Sequence, residues 1–250
     1  MLTPSRASTH RFHIPKRCQA SVEGSWRARY PYLGTSLERF ILTTAIAISP
    51  STIFPRLSAY LARLPAGLDS YPHHLQQAAV FRAFLAFLPT EGVAELAPEP
   101  VGALLRGDYA ANDWLSEVHV TAVYLACADI NVPRDVDFIA KTAAANTALF
   151  SDPLYKMLMG SARPEVMVRG SAGRWGIFHR GITLTTRLKE KPGEAEFKLD
   201  FPPFIVPPLI SLGYCTVFEA AFRACGVNDV WVNLVSKSPT QNTYACSWRE

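Results

Sequence analysis

Residues 181–201 read GITLTTRLKEKPGEAEFKLDF, and this stretch decides the fold class of the chain. Apolar and polar residues alternate over Ile182–Arg187, and the alternation resumes over Glu194–Phe201. A period of two residues is typical of a half-buried strand, and the intervening Lys-Pro-Gly at 191–193 is typical of a turn. The stretch therefore predicts an antiparallel β-hairpin.

A second hairpin is predicted near the C-terminus, after one long apolar helix. This helix is predicted over Leu209–Cys225, and Gly226 follows it, a residue type that commonly ends helices. Residues 230–234 and 244–248 alternate in polarity on either side of a turn at 239–242. The C-terminal third is therefore predicted to run β-β-α-β-β and to form a four-stranded antiparallel sheet.

The chain before these strands is predicted to be helical, because its apolar residues recur at spacings of three and four. The predicted helices are Leu37–Ile48, Phe54–Leu64, Leu75–Leu88, Val101–Leu105, Asp113–Asp129, Val136–Phe150, Pro153–Met159 and Pro164–His179. A helical N-terminal part packed on an antiparallel sheet is an α+β fold. We expect a single α+β domain over residues 34–250, with a helical subregion at 34–110 and the sheet-bearing part at 111–250.

The positive charge of the chain is concentrated at its N-terminus. The net charge is +4, yet residues 1–36 hold six basic residues against one acidic residue, so the other 214 residues are close to neutral. Residues 1–33 are predicted to be a disordered basic leader. Their composition also suits a transit peptide or an electrostatic arm for phosphate or anionic lipid. Because the remainder is neutral, we expect no nucleic-acid partner.

Other sequence signals point to a soluble protein without a metal site. No apolar run reaches the roughly 20 residues that cross a bilayer, so we expect no transmembrane segment and a cytoplasmic location. The five cysteines include no CxxC pair, which favours reduced, buried thiols. The sequence also lacks a GxxxxGK[ST] phosphate loop, a GxSxG nucleophile elbow and an HExxH zinc motif. We therefore predict neither a nucleotide site nor a metal site, and we assign no catalytic residue.

Two features are candidate binding sites. An aromatic and basic cluster lies where the helical part meets the first hairpin and comprises Arg174, Trp175, Phe178, His179 and Arg180. It could anchor an anionic or flat ligand through charged and cation–π contacts, or it could be a hinge packed by its aromatic rings. His119 is the second feature. It lies among apolar residues of a predicted helix, where an axial ligand of haem or an ordinary surface or satisfied interior histidine would both be found.

Several short motifs resemble an uncharacterised family that occurs in many copies in myxobacteria. They are the run from Gly160 to His179, the hairpin after it, the helix from Ser211 to Val227, the closing Tyr244–Trp248 and the helix start at Asp113-Trp114-Leu115. That family is similar in outline to the superfamily of 4-vinyl-reductase domains, TRAPP-type trafficking subunits and haem nitric-oxide sensors. The resemblance implies a pocket for an apolar small molecule or acyl chain, or a face for a homodimer or another partner.

The resemblance does not imply a cofactor. The haem-sensor branch uses a Tyr-x-Ser-x-Arg motif that this sequence lacks, so we expect no haem at His119 and no other cofactor. The vinyl-reductase branch often has a cysteine pair in its last hairpin, of which only Cys246 is present here.

Three functions follow from these observations. The first is a non-catalytic sensing or interaction module, whose ligand pocket between helices and sheet would need roughly 300 Å3 for a drug-sized ligand. The second is an enzyme, which would need Cys127, His119 or His179 within hydrogen-bond reach of a carboxylate. The third is an assembly subunit that acts through an apolar face. The first is the function that we predict.

Overall fold

The computed structural model describes residues 50–159 and 163–249. The predicted leader and the predicted helix Leu37–Ile48 lie outside these ranges. The helices are α1 (Pro50–Ile53), α2 (Pro55–Leu61), α3 (Ala78–Leu85), α4 (Val93–Leu96), α5 (Glu99–Arg106), α6 (Glu117–Asn131), α7 (Asp135–Ser151), α8 (Pro153–Met159), α9 (Pro164–Phe178) and α10 (Pro208–Ala224). The strands are β1 (Leu75–Gln77), β2 (Trp114–Ser116), β3 (His179–Arg180), β4 (Thr183–Leu188), β5 (Glu194–Asp200), β6 (Asp229–Lys237) and β7 (Gln241–Arg249).

The C-terminal part confirms the predicted four-stranded sheet and with it the α+β fold. Its strands are all antiparallel and lie in the order β4-β5-β7-β6. Helix α10 comes between the two hairpins in the chain and packs on the sheet: the ring of Phe218 stacks on that of Phe197 on β5, 4.7 Å away at 21°. The alternating side chains of β5 and β7 are buried beneath it, which is the pattern that the period of two predicted.

Helix α6 is the centre of the helical part. Eleven of its fifteen residues are buried, and most of them are apolar, as is typical of a helix that protein surrounds. Helices α2 and α5 pack against α6, and helix α7 packs between α3 and α10. Helix α9 packs on β4 and so joins the helical part to the edge of the sheet. Within the described ranges, no helix is long and apolar enough to cross a membrane.

A second, small sheet was not predicted. Strand β1 pairs with β2 on one side and with β3 on the other, both antiparallel. The predicted helices Leu75–Leu88 and Asp113–Asp129 are therefore wrong at their first residues: each begins as a three-residue strand, and the helix starts at Ala78 and Glu117 instead. Strands this short leave no readable period, and each continues directly into a helix.

Candidate functional site

A cavity of about 80 Å3 lies between the helices and the four-stranded sheet. Aromatic and aliphatic side chains from α3, α6, α7, α9, α10, β4 and β5 form most of its wall. The polar side chains that line it include Gln76, Glu117, Tyr124, His179 and Tyr214. The cavity thus combines a largely apolar wall with several buried polar groups, of which those around Glu117 and His179 form a cluster.

The small sheet brings this polar cluster together. Gln76 on β1 is directly opposite His179 on β3, and β1 also pairs with Ser116 at the end of β2. Ser116 is the N-cap of α6 and accepts a hydrogen bond from the amide of His119, so that Glu117 begins the helix. A glutamate in the first turn of a helix is favoured by the helix dipole. The element that sequence patterns failed to predict is therefore the one that builds the site.

The central contact of the site is between Glu117 and His179. The Nδ1 atom of His179 lies 3.2 Å from the Oε2 atom of Glu117, and the two side chains are only 5% and 3% exposed. The ring of Trp175 stacks on the imidazole, with 4.1 Å between the ring centroids and an angle of 11°. The indole nitrogen of Trp175 donates to the carbonyl of Ile182 at 3.0 Å, which fixes the ring in this position. The pair is thus held rigidly and away from solvent.

Three buried tyrosines lie near the carboxylate of Glu117. The hydroxyl of Tyr214 lies 3.5 Å from its Oε1 atom, and that of Tyr124 donates to Gln76 at 3.3 Å. Burial first, and then the nearby carboxylate of Glu117, raises the pKa of Tyr60, Tyr124 and Tyr214 above the ordinary value. The three phenols therefore remain protonated and act as hydrogen-bond donors at any physiological pH.

Four of the six predicted site residues line the cavity, and two do not. Arg174, Trp175, Phe178 and His179 line the cavity. Arg180 is exposed, and its guanidinium lies 3.8 Å from the centroid of the Trp114 ring. His119 is half-buried and does not line the cavity, so it is not placed as a ligand there. The sequence reasoning missed Glu117, Gln76 and Tyr214, although a glutamate that opens a largely apolar helix was a visible signal.

Among the described residues, no cysteine contributes a reactive group to the cavity. Cys127, Cys215 and Cys246 are buried as free thiols, and none of them lines it. Burial raises the pKa of Cys127 and of Cys215 to about 12, so both are protonated and unreactive at neutral pH. In the part of the chain that the structure describes, no group of three or more His, Cys, Asp or Glu side chains is placed to hold a metal ion.

Comparison with known proteins shows a likeness of fold only. No protein-family model and no curated protein matches the chain. Among solved structures, an H-NOX variant designated Cs that carries an unnatural cyano-phenylalanine is 8% identical, with a TM-score of 0.51 over 69% of this chain and 94% of that chain. An oxygen-binding H-NOX domain described as related to soluble guanylate cyclases is 7% identical, with a TM-score of 0.49 over 69% and 93%. The distant likeness to the haem nitric-oxide sensor branch is thus confirmed for the fold, and the myxobacterial family stays a prediction.

The expectation that the chain has no cofactor is corrected by this comparison. A further structure of the same kind, 6% identical with a TM-score of 0.47 over 69% of this chain and 99% of that chain, is described by its haem redox potential and its distorted porphyrin.

The cavity in its present form does not fit a porphyrin. His179 does supply an imidazole, the group that binds haem iron in many proteins. Its Nδ1 atom faces Glu117, which leaves Nε2 as the ring nitrogen that could bind iron, so the contact with Glu117 does not itself exclude haem. The obstacle is size: the volume of about 80 Å3 is well below the roughly 300–1,000 Å3 that pockets for drug-sized molecules occupy. A bound haem would require more room than this cavity provides.

Proposed function

We propose that the chain is a non-catalytic sensing module that binds a small molecule in the cavity between its helices and its sheet. The observation that carries this proposal is the buried pair Glu117–His179 in the wall of an otherwise largely apolar cavity. Burying a charged or strongly polar pair opposes folding, because neither group keeps its hydration. A pair placed beside an internal void, among fixed donors, is the arrangement that ligand sites use to orient their ligand.

The size of the cavity limits the ligand to a few heavy atoms. Its volume of about 80 Å3 compares with about 30 Å3 for one molecule of liquid water and with about 150 Å3 for an engineered cavity that binds benzene. The cavity is well below the roughly 300 Å3 expected for a drug-sized ligand, so that expectation is not met and neither a drug-sized ligand nor an acyl chain fits it. The proposed ligand is therefore a small molecule with an apolar part and one hydrogen-bonding group, directed at Glu117 or His179.

Native mass spectrometry of the protein purified from its own cells tests this proposal. We expect a retained mass of a few heavy atoms, lost in Ala221→Leu, which adds apolar volume to the cavity wall. Ala220→Leu is the matched control, because Ala220 is equally buried on α10 but does not line the cavity. A ligand-free protein, an adduct retained equally by both variants, or a retained mass equal to haem would each overturn the proposal of a small ligand.

An enzyme is the second candidate, and one observation favours it. An enzyme with this chemistry needs a cysteine or histidine within hydrogen-bond reach of a carboxylate, and the 3.2 Å contact of His179 with Glu117 meets that requirement. Incubation of the protein with the ligand recovered by mass spectrometry separates the two candidates. A ligand recovered unchanged supports a sensor, whereas a ligand that is transformed by the wild-type protein and not by His179→Gln supports an enzyme.

A homodimer or an assembly role remains a separate prediction. Large apolar side chains are exposed at Leu96, Met157, Val166 and Val235, where a partner could cover them. Light scattering measures the mass of the particle directly. A measured mass equal to that of one chain at high protein concentration would contradict the homodimer and leave the sensing proposal unaffected.

A further inference from the structure

A second cavity lies outside the site described above. It is a groove of about 520 Å3, formed by α2, by residues of α6 and α7, by the segment 204–209 and by the turn between β6 and β7. It shares no lining residue with the cavity at Glu117 and His179. Its volume falls within the roughly 300–1,000 Å3 of pockets that hold drug-sized ligands.

Basic side chains line the groove in excess of acidic ones. Arg56, Arg63 and Lys237 face a single carboxylate, that of Asp135. Arg56 is already committed to the fold, since its Nη2 atom lies 2.8 Å from Asp135 and 2.6 Å from the carbonyl of Pro133. Arg63 and Lys237 are exposed, and among the described residues neither has a carboxylate within ion-pair distance. Two positive charges are therefore available to a ligand.

The groove also offers an apolar surface beside these charges. The guanidinium of Arg63 lies 4.2 Å from the centroid of the Phe204 ring, and Tyr60, Leu125 and Val206 contribute to the wall. Charge and apolar surface thus occupy the same groove, which lets one ligand use both.

The backbone of Phe204 adopts a strained conformation that costs conformational energy. Its φ of 65° lies in the left-handed region, which is a genuine outlier for a bulky residue. Two hydrogen bonds fix the segment: the Phe204 amide donates to the carbonyl of Pro239 at 2.8 Å, and the Tyr71 hydroxyl donates to the carbonyl of Pro203 at 3.0 Å. The Phe204 ring is therefore a fixed part of the groove wall.

We propose that this groove binds an organic anion that combines one acidic group with an apolar ring or chain. The acidic group pairs with Arg63 and Lys237, while the apolar body lies along Phe204 and Tyr60. The first turn of α10, at Pro208 and Leu209, forms another wall of the groove. The helix dipole places a partial positive charge at this end of α10, which also favours an anion. This proposal does not depend on the function proposed for the interior cavity.

Fluorescence titration with anilinonaphthalene sulfonate, an aromatic anion, tests the proposal on the full chain. The neutral N-phenylnaphthylamine has the same rings without the sulfonate and serves as the matched probe. We expect the sulfonate to bind more tightly than the neutral probe and to weaken as salt is added. The double variant R63Q/K237Q should raise the dissociation constant of the sulfonate by at least about tenfold and leave that of the neutral probe unchanged.

The control variant is Arg169→Gln, which removes one positive charge from an exposed position outside the groove. It should bind the sulfonate as the wild type does, and circular dichroism should show the same helix content for all variants. Equal binding of both probes, no binding of the sulfonate, or equal binding by wild type and R63Q/K237Q would overturn the proposal.

Discussion

At the scale of single residues, the main question is why Glu117 and His179 are buried at all. Two polar groups out of contact with water lose hydration energy that their mutual attraction only partly restores. Apolar residues at both positions would pack without that loss. The pair therefore acts as a unit, and each partner depends on the other for its stability in the core.

A double-mutant cycle tests whether Glu117 and His179 act as a unit. Glu117→Leu leaves His179 buried without its carboxylate, and His179→Leu leaves the Glu117 carboxylate buried with only the Tyr214 hydroxyl beside it, so each variant should lower the free energy of unfolding by about 3–5 kcal/mol. The double variant should be less destabilised than the sum of the two, with a coupling energy of about 0.5–3 kcal/mol. Urea denaturation supplies all four values. Additive losses would show that the 3.2 Å contact contributes no coupling.

The buried thiols predict a second result at this scale. Since burial raises the pKa of Cys127 and Cys215 to about 12, these groups stay protonated where an ordinary thiol ionises. Between about pH 7 and about pH 9, labelling of an ordinary thiol by Ellman's reagent accelerates, whereas labelling of these two should stay slow and follow unfolding. Cys225 is only half-buried and should react before them.

The raised thiol pKa of Cys127 and Cys215 also makes the free energy of unfolding depend on pH. The unfolded chain loses these thiol protons near the ordinary pKa of 9.0, while the folded chain keeps them, so the free energy of unfolding falls as the pH rises above about 9. Peptide mapping of the labelled protein identifies which cysteine reacted. Rapid labelling of Cys127 in the folded state, with no loss of helix content, would contradict the burial of that side chain.

At the scale of elements, sequence patterns predicted the long helices and the two hairpins, because each of these has enough residues to show its period. Helix Pro153–Met159 has the predicted bounds, and α7 and α10 differ from their predicted ends by only one residue. The small sheet could not be predicted, since β1 and β2 have three residues each and β3 has two. The candidate site was therefore only half predicted: the α9 side was expected, and the partners that β1 and β2 position were not.

Helix α2 depends on a residue far away in the sequence. Its own N-cap, Phe54, offers no side-chain acceptor, and the carboxylate of Asp129 at the end of α6 accepts from the amides of Arg56 and Leu57 at 3.2 and 3.1 Å. This contact caps α2 and fastens it to α6. We expect Asp129→Ala to lower the free energy of unfolding by about 0.5–2 kcal/mol, the range for the loss of a helix cap.

Asp135→Ala is the matched control for Asp129→Ala. Asp135 also pairs with Arg56, at 2.8 Å, but it is partly exposed and caps nothing on α2. Its loss should cost at most about 1 kcal/mol, as for other exposed ion pairs. Thermal denaturation followed by circular dichroism compares the two variants. Equal losses would mean that the ion pair, and not the cap, holds α2 in place.

At the scale of the whole molecule, the helical part and the four-stranded sheet meet along one seam, and the interior cavity lies in it. Helix α9 leads into β3 and then β4, while α10 covers the inner face of the sheet. The overall α+β arrangement followed from hydrophobic periodicity. The dimensions of the cavity did not, because they depend on how closely Trp175, Phe178 and Phe218 pack, and sequence spacing carries no information about that.

The most direct test of the central claim is a crystal structure of the protein pressurised with xenon, an atom that enters small apolar cavities. The account predicts xenon density in the cavity beside Trp175 and Phe178, present in Ala220→Leu and absent in Ala221→Leu. If xenon fills other cavities of the crystal at the same pressure but gives no density in this cavity, the claim that a small molecule binds there is contradicted.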